Sequence, residues 1–247
     1  MNDDLLKRGL EALSLPADGP LFSGLSRYGA AIEEWNPAYG LVGAEGDELV
    51  VKHLLDSLAP LAEIRARLES VAAARETGDK AASPGAAANA AVSSSLAASA
   101  APDLSRLSLA DLGTGAGLPG IPLSLALPEV RVSLVDRMTR RIRFLEAMRD
   151  ALPLPNAEIV EEQVEHAKGR FDLITFRAFR PFERKLFKRV FALCAPDGFV
   201  AAYKGRADKA EGELPEIAGL YASAEILPVR VPFLDDERCL VVLRPAR

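Results

Sequence analysis

The 247-residue chain has little sulfur and little imidazole: two cysteines, two histidines and a single tryptophan. Cys194 and Cys239 stand alone with no C-x-x-C pair, so neither a disulfide framework nor a thiolate metal site is suggested, and a reducing, cytoplasmic setting is expected. His53 and His166 have no clustered carboxylates around them, so no bound metal is expected. No long uncharged apolar run is present. The opening "MNDDLLKRGLEAL" sets acids before its basic residues and lacks a continuous apolar stretch, so neither a signal peptide nor a membrane span is expected. An overall basic excess is missing too: the formal net charge of −5 argues against wholesale coating by nucleic acid.

Two local exceptions stand out against that acidic background. Residues 137–143, "RMTRRIR", carry four arginines and no acid, and 177–189, "RAFRPFERKLFKR", carry six basic residues against one acid. Together they form either a one-sided patch for phosphates or a solvated helix face.

The chain divides by composition. Residues 1–71 read as an N-terminal helical cap, because apolar positions in "LLKRGLEALSL", "LSRYGAAIEEWN" and "DELVVKHLLDSLAPLAEIRARL" recur at three and four. Residues 72–102 are almost wholly Ala, Ser, Gly and Pro. They read as a flexible linker or surface insertion in preference to an Ala-rich helix, since so little apolar surface cannot offset the entropy of ordering. From 103 to 247, short β-like runs alternate with helices, which implies βαβ units and a parallel sheet. The strands are expected at 107–113, 131–136, 157–162, 171–178 and 199–205, with helices near 120–127, from Thr139, and over 181–194. A turn is expected at "APDG", and two β-like runs at the tail predict an antiparallel hairpin closing the sheet.

In such a sheet the ligand sits at the carboxyl ends of the strands, which points to the loop in "LADLGTGAGLPGIPLSLALP", residues 109–128. Gly115, Gly117 and Gly120 satisfy G-x-G-x-x-G, and Asp136 ends the next strand where an acid would hold a ribose diol. A dinucleotide therefore has to be weighed. A pyrophosphate needs free N–H groups at the helix start, but Pro119 and Pro122 lack them, and Asp111 would aim a negative charge at an anion. S-adenosylmethionine, cationic and without phosphate, suits the loop better, with Asp111 supplying field for the cation.

"DLGTGAGLPGIPLSLALP", "VSLVDRMTRRIRFLEAM", "QVE", "FDLITFRAF" and "YKG", together with the N-terminal "EWNPAYGLV" and "HLLDSL", resemble segments of the bacterial 16S rRNA guanine-N7 methyltransferases, the RsmG or GidB family. The resemblance implies a class I S-adenosylmethionine-dependent methyltransferase: a Rossmann-like, seven-stranded, mostly parallel sheet with an N-terminal helical extension. It implies cofactor contacts at Gly113 and Leu118, at Val164 and Glu165, and at Arg177. The implied partner is 16S rRNA or the small ribosomal subunit, methylated at N7 of guanine 527 in the 530 loop; a monomer is expected. Gly40, Val42 and Cys239 depart from the family pattern, which usually has Asn, Thr and His there. Read without the resemblance, the residues also allow a small-molecule methyltransferase or an NAD(P)-binding reductase on a related fold.

Guanine N7 has a lone pair and no proton, so its methylation needs positioning and no general base. What the sequence lacks agrees with this. The Asn/Asp-Pro-Pro-aromatic motif of amino-group methylation is replaced by Phe176, Arg177, Ala178 and Phe179, and Cys194 reads as a small buried residue, not a nucleophile. Arg177 is expected to bind a carboxylate or phosphate, or to pair with Asp111 or Glu165. RNA contacts are expected from Arg137, Arg140, Arg141 and Arg143, with Lys204 and His53 as further candidates. His53 and Asp56, three apart, share a helical face. Trp35 and Tyr39 read as either base-stacking or core aromatics.

Overall fold

A computed structural model describes residues 1–82, 102–178 and 181–246 of the chain. The N-terminal section is helical as its periodicity requires. α1 (Asp3–Ala12) opens at Asn2, whose side chain accepts from Leu5 N, with Asp3 and Asp4 in its first turn. α2 (Gly19–Tyr39) ends at Gly40, whose left-handed conformation (φ +57°) suits glycine and asparagine alike. α3 (Gly46–Leu49) runs into a π-helical turn, Val50–Leu55, and then α4 (Asp56–Leu58).

α5 (Leu61–Ala82) continues past the residue where the linker was expected to begin. Alanine is the best helix former, Val71 and Ala72 are buried, and Arg75 bonds Asp172 at the start of the sheet, so this turn has tertiary contacts that composition does not reveal. The amide of Asp103, one residue after the described chain resumes, donates to Glu76 Oε1 at 3.2 Å. Residues 83–101 of the expected linker lie outside the described residues, as do Phe179 and Arg180.

Seven strands follow: β1 (Ser108–Leu112), β2 (Arg131–Asp136), β3 (Ala157–Glu161), β4 (Phe171–Arg177), β5 (Cys194–Lys204), β6 (Tyr221–Val229) and β7 (Arg238–Pro245). They form one sheet in the order β3-β2-β1-β4-β5-β7-β6, parallel except for β7, which runs antiparallel to both neighbours. This is the seven-stranded, mostly parallel sheet with a closing hairpin that the resemblance implies, and order reverses between β1 and β4. The interleaved helices are α6 (Gly120–Ala126), α7 (Thr139–Ala151), α8 (Arg184–Leu193) and α9 (Ala207–Glu213). One correction concerns "APDG": it is no free turn but a bulged part of β5, which pairs Cys194 with Phe171 and then skips to pair Phe199 with Leu173.

Two apolar clusters lie on the two faces of the sheet. α8 and α9 cover one. The other is continuous from Leu6 and Tyr28 of the N-terminal helices, through Ile121 of α6 and Phe144 of α7, to Leu109, Leu134 and Leu240 of the strands. The N-terminal helices are thereby fastened to the face that carries the glycine loop. Trp35 belongs to this packing, edge-on to Phe144 at 5.6 Å and against Tyr39 at 4.8 Å, so both aromatics serve the core. No helix of the described residues is long and apolar enough to cross a membrane.

Candidate functional site

The loop between β1 and α6 lies at the carboxyl end of β1, beside the reversal in strand order. Gly113, Gly115 and Gly117 have φ of +69°, +63° and +96°, conformations that side chains oppose. The amides of Gly113 and Thr114 donate to Val135 O at 2.8 and 3.0 Å, which fixes the loop to the end of β2. From above, the buried Tyr28 hydroxyl of α2 donates to Ala116 O at 2.7 Å.

Two acids hold this loop from within. Asp111 is fully buried. Its Oδ2 accepts from Thr114 Oγ1 at 2.5 Å and Gly120 N at 2.9 Å, and its Oδ1 accepts from Thr175 Oγ1 at 3.0 Å. Burial pushes its carboxyl up to about 6, against the pull of those bonds. Asp111 therefore lies beneath the loop and fastens it, and its field reaches a ligand only through the loop. Asp136 is also buried: Oδ2 accepts from Gly115 N at 2.9 Å and Arg141 Nη1 at 3.2 Å, and Oδ1 from Met138 N at 2.9 Å. Arg141 is thus tied to the loop, whereas Arg137, Arg140 and Arg143 are exposed.

The backbone donors sharpen the argument against a pyrophosphate. Gly117 and Leu118 donate to Thr114 O, Gly120 to Asp111, Ile121 to Gly117 O and Leu123 to Pro119 O, while Pro119 and Pro122 have no N–H. The start of α6 offers these amides to its own chain, which removes the donors that a helix N-terminus gives a phosphate.

Arg177, at the end of β4, looks the other way. It does not pair with Asp111 or Glu165. Its Nη1 donates to Asp56 Oδ2 at 2.8 Å and to the carbonyls of Lys52 and His53 at 3.2 and 3.4 Å, and its Nη2 lies 3.0 Å from His53 Nδ1. The second oxygen of Asp56 accepts from Arg238 Nε at 3.1 Å. Burial and the adjacent Arg177 charge push the His53 imidazole down to about 4, so it is neutral at physiological pH.

These groups line a cleft of about 470 Å³ at the carboxyl ends of β4 and β5, whose apolar wall includes Phe176, Ala178, Val229 and Cys239. Lys204 also lines it, but its ammonium is held by Glu213 at 2.6 Å and lies over the Phe182 ring at 4.2 Å. Val164 is buried and Glu165 half-buried in the turn after β3. Cys194 is buried, its thiol pushed up to about 12 by burial, which suits the inert role expected of it. Sequence reasoning named His53 and Arg177 but not their union, and it missed Asp56 as the link and Arg238 altogether. The i, i+3 spacing of His53 and Asp56 was the available signal; nothing local marks Arg238.

A family profile described as GidB, rRNA small subunit methyltransferase G, matches residues 86–241. Over 98% of its length the chain is 31% identical to "Ribosomal RNA small subunit methyltransferase G" of Paracidovorax citrulli, spanning 89% of that protein. It is 33% identical to the protein of the same name from Chromobacterium violaceum, over 96% of this chain and 94% of that one. Among solved structures it is similar to the N-methyltransferase NodS of Bradyrhizobium japonicum in complex with S-adenosyl-l-homocysteine, with a TM-score of 0.45 and 16% identity over 57% of this chain and 79% of that one.

Proposed function

Because the chain belongs to the rRNA small subunit methyltransferase G family, we propose that it transfers a methyl group from S-adenosylmethionine to N7 of a guanine in 16S rRNA, nucleotide 527 of the 530 loop. The donor set fits this cofactor: the amides of Gly115, Gly117, Leu118, Gly120 and Ile121 are bonded within the chain, which disfavours a diphosphate, and a carboxylate lies beneath the loop. Gly113, Gly115 and Leu118 of the loop and Val164 and Glu165 after β3 would hold it. Asp136 fixes Gly115 on the ribose side, and Arg177 holds His53 and Asp56 at the wall of the adjoining cleft. When bound, S-adenosylmethionine supplies a methyl group on a positively charged sulfur.

The observation that carries the N7 assignment is the state of the bases in the cleft. Asp56 accepts from two arginines, His53 Nδ1 faces a guanidinium, and Glu48 is paired with Lys52 at 2.5 Å. A ring nitrogen with a lone pair asks nothing more of the protein than orientation, which contributes effective molarities of roughly 10⁵ M or more. An exocyclic amine would need a proton acceptor, and the two carboxylates and the imidazole named here each face a cation. The exposed Arg137, Arg140 and Arg143 would meet the phosphates of the RNA.

The test is methyl transfer to small-subunit RNA in vitro, followed by chemical scission at N7-methylguanine. The reading predicts scission at one guanine, in the 530 loop. Methylation at an exocyclic amine or at a pyrimidine carbon would overturn it.

A further inference from the structure

We propose that His53 is the residue that distinguishes guanine from adenine, donating from Nε2 to O6 of the acceptor base; this rests on the guanine-N7 reading above. A guanidinium has donors and no acceptor. With Arg177 Nη2 at 3.0 Å, His53 Nδ1 must present its lone pair, and the single proton of the neutral ring sits on Nε2. His53 lines the cleft, whose wall also carries the apolar Phe176, Ala178, Val229 and Cys239. The tautomer is thus chosen by Arg177, which Asp56 in turn holds through Nη1.

The edge of guanine that carries N7 presents two acceptors, N7 and O6, whereas adenine pairs N7 with the N6 amino donor. When N7 faces the methyl donor, O6 is the adjoining group. A donor there complements guanine and opposes the amino group of adenine. The charge of that donor matters as well. Methylation leaves a positive charge on the purine, which an imidazolium beside O6 would resist; a neutral imidazole does not. The burial and the Arg177 charge that keep His53 unprotonated serve this end. Asp56 and Arg177 are positioning residues in this scheme, since they act through His53.

The experiment compares 16S RNA fragments carrying guanine, 2-aminopurine or inosine at the target nucleotide. 2-Aminopurine keeps N7 and loses O6; inosine keeps both. For the wild-type protein, kcat/KM should fall roughly 10-fold with 2-aminopurine, the worth of one hydrogen bond, and change little with inosine. His53→Ala should lose a similar factor on guanine and show no further loss on 2-aminopurine, while His53→Gln, which retains an N–H donor, should recover part of the guanine preference. S-adenosylmethionine binding by each variant reports that the fold is intact. Equal use of guanine and 2-aminopurine by the wild type, or full retention of the O6 preference in His53→Ala, would overturn the assignment. Failure of the wild type to methylate N7 of the guanine RNA would instead overturn the functional reading beneath it.

Discussion

Replacing Asp56 by alanine should destabilise the protein by about 3 kcal/mol. The carboxylate is 5% exposed and lies between two guanidinium groups, at 2.8 Å from Arg177 and 3.1 Å from Arg238. A charge pair near 4 Å is worth about 4 kcal/mol at an effective dielectric of 20, and removing one partner of a buried pair typically costs roughly 3–5 kcal/mol. The arginine side chains are 14% and 23% exposed, which places this site at the lower end of that range. In a chain of this size, about 3 kcal/mol lowers the thermal midpoint by roughly 6–12 °C. The assay is thermal unfolding followed by circular dichroism, repeated for Arg177→Met and for the double variant. The double variant should lose about 1–3 kcal/mol less than the sum of the singles, since it leaves fewer unpaired charges. A midpoint shift under about 2 °C, or strict additivity, would refute the claim that this carboxylate joins the N-terminal helices to the sheet.

Gly120→Ala should destabilise by about 2 kcal/mol and weaken S-adenosylmethionine binding in calorimetry, because a Cβ would meet Leu134 Cδ2 at 2.3 Å and Asp111 Oδ2 at 2.8 Å. In denaturation curves at pH 7 and pH 5, His53 contributes a loss of stability as pH falls from about 6.5 toward 4, because the unfolded chain takes up a proton that the folded ring resists. Asp111, raised to about 6, has the opposite sign over that range, so the readout is the difference between wild type and His53→Asn, with the variant less sensitive to acid. Joint replacement of Arg137, Arg140 and Arg143 by methionine should reduce the salt slope of RNA binding by about 2–3. The same change at Arg141 should act on loop stability instead, through Asp136.

How far the sequence reaches can be judged residue by residue. β2 over 131–136, the start of α7 at Thr139 and the closing hairpin were legible because period-two and period-3.6 patterns are local. The glycine loop was legible for the same reason: three positive-φ positions and two prolines lie within a few residues. α5 was misjudged at its end, since its alanines are held by Arg75 on Asp172, a contact across 97 residues. The partners of Arg177 were misjudged likewise. Asp56, Arg177 and Arg238 come from the N-terminal helices, β4 and β7, and only the strand order that sets β4, β5 and β7 side by side brings them together. For Asp111 and Asp136 sequence placed the acids at the right strand ends, but whether a carboxylate faces a ligand or the loop's own amides depends on the turn geometry.

The glycine loop has the amides of Gly115, Gly117, Leu118, Gly120 and Ile121 already bonded within the chain, which favours a phosphate-free cationic methyl donor over a dinucleotide. Titration calorimetry of the purified protein with S-adenosylmethionine and with NADH tests this directly. Saturable binding of S-adenosylmethionine, undiminished by excess NADH, is the predicted result; NADH binding that displaces S-adenosylmethionine would contradict it.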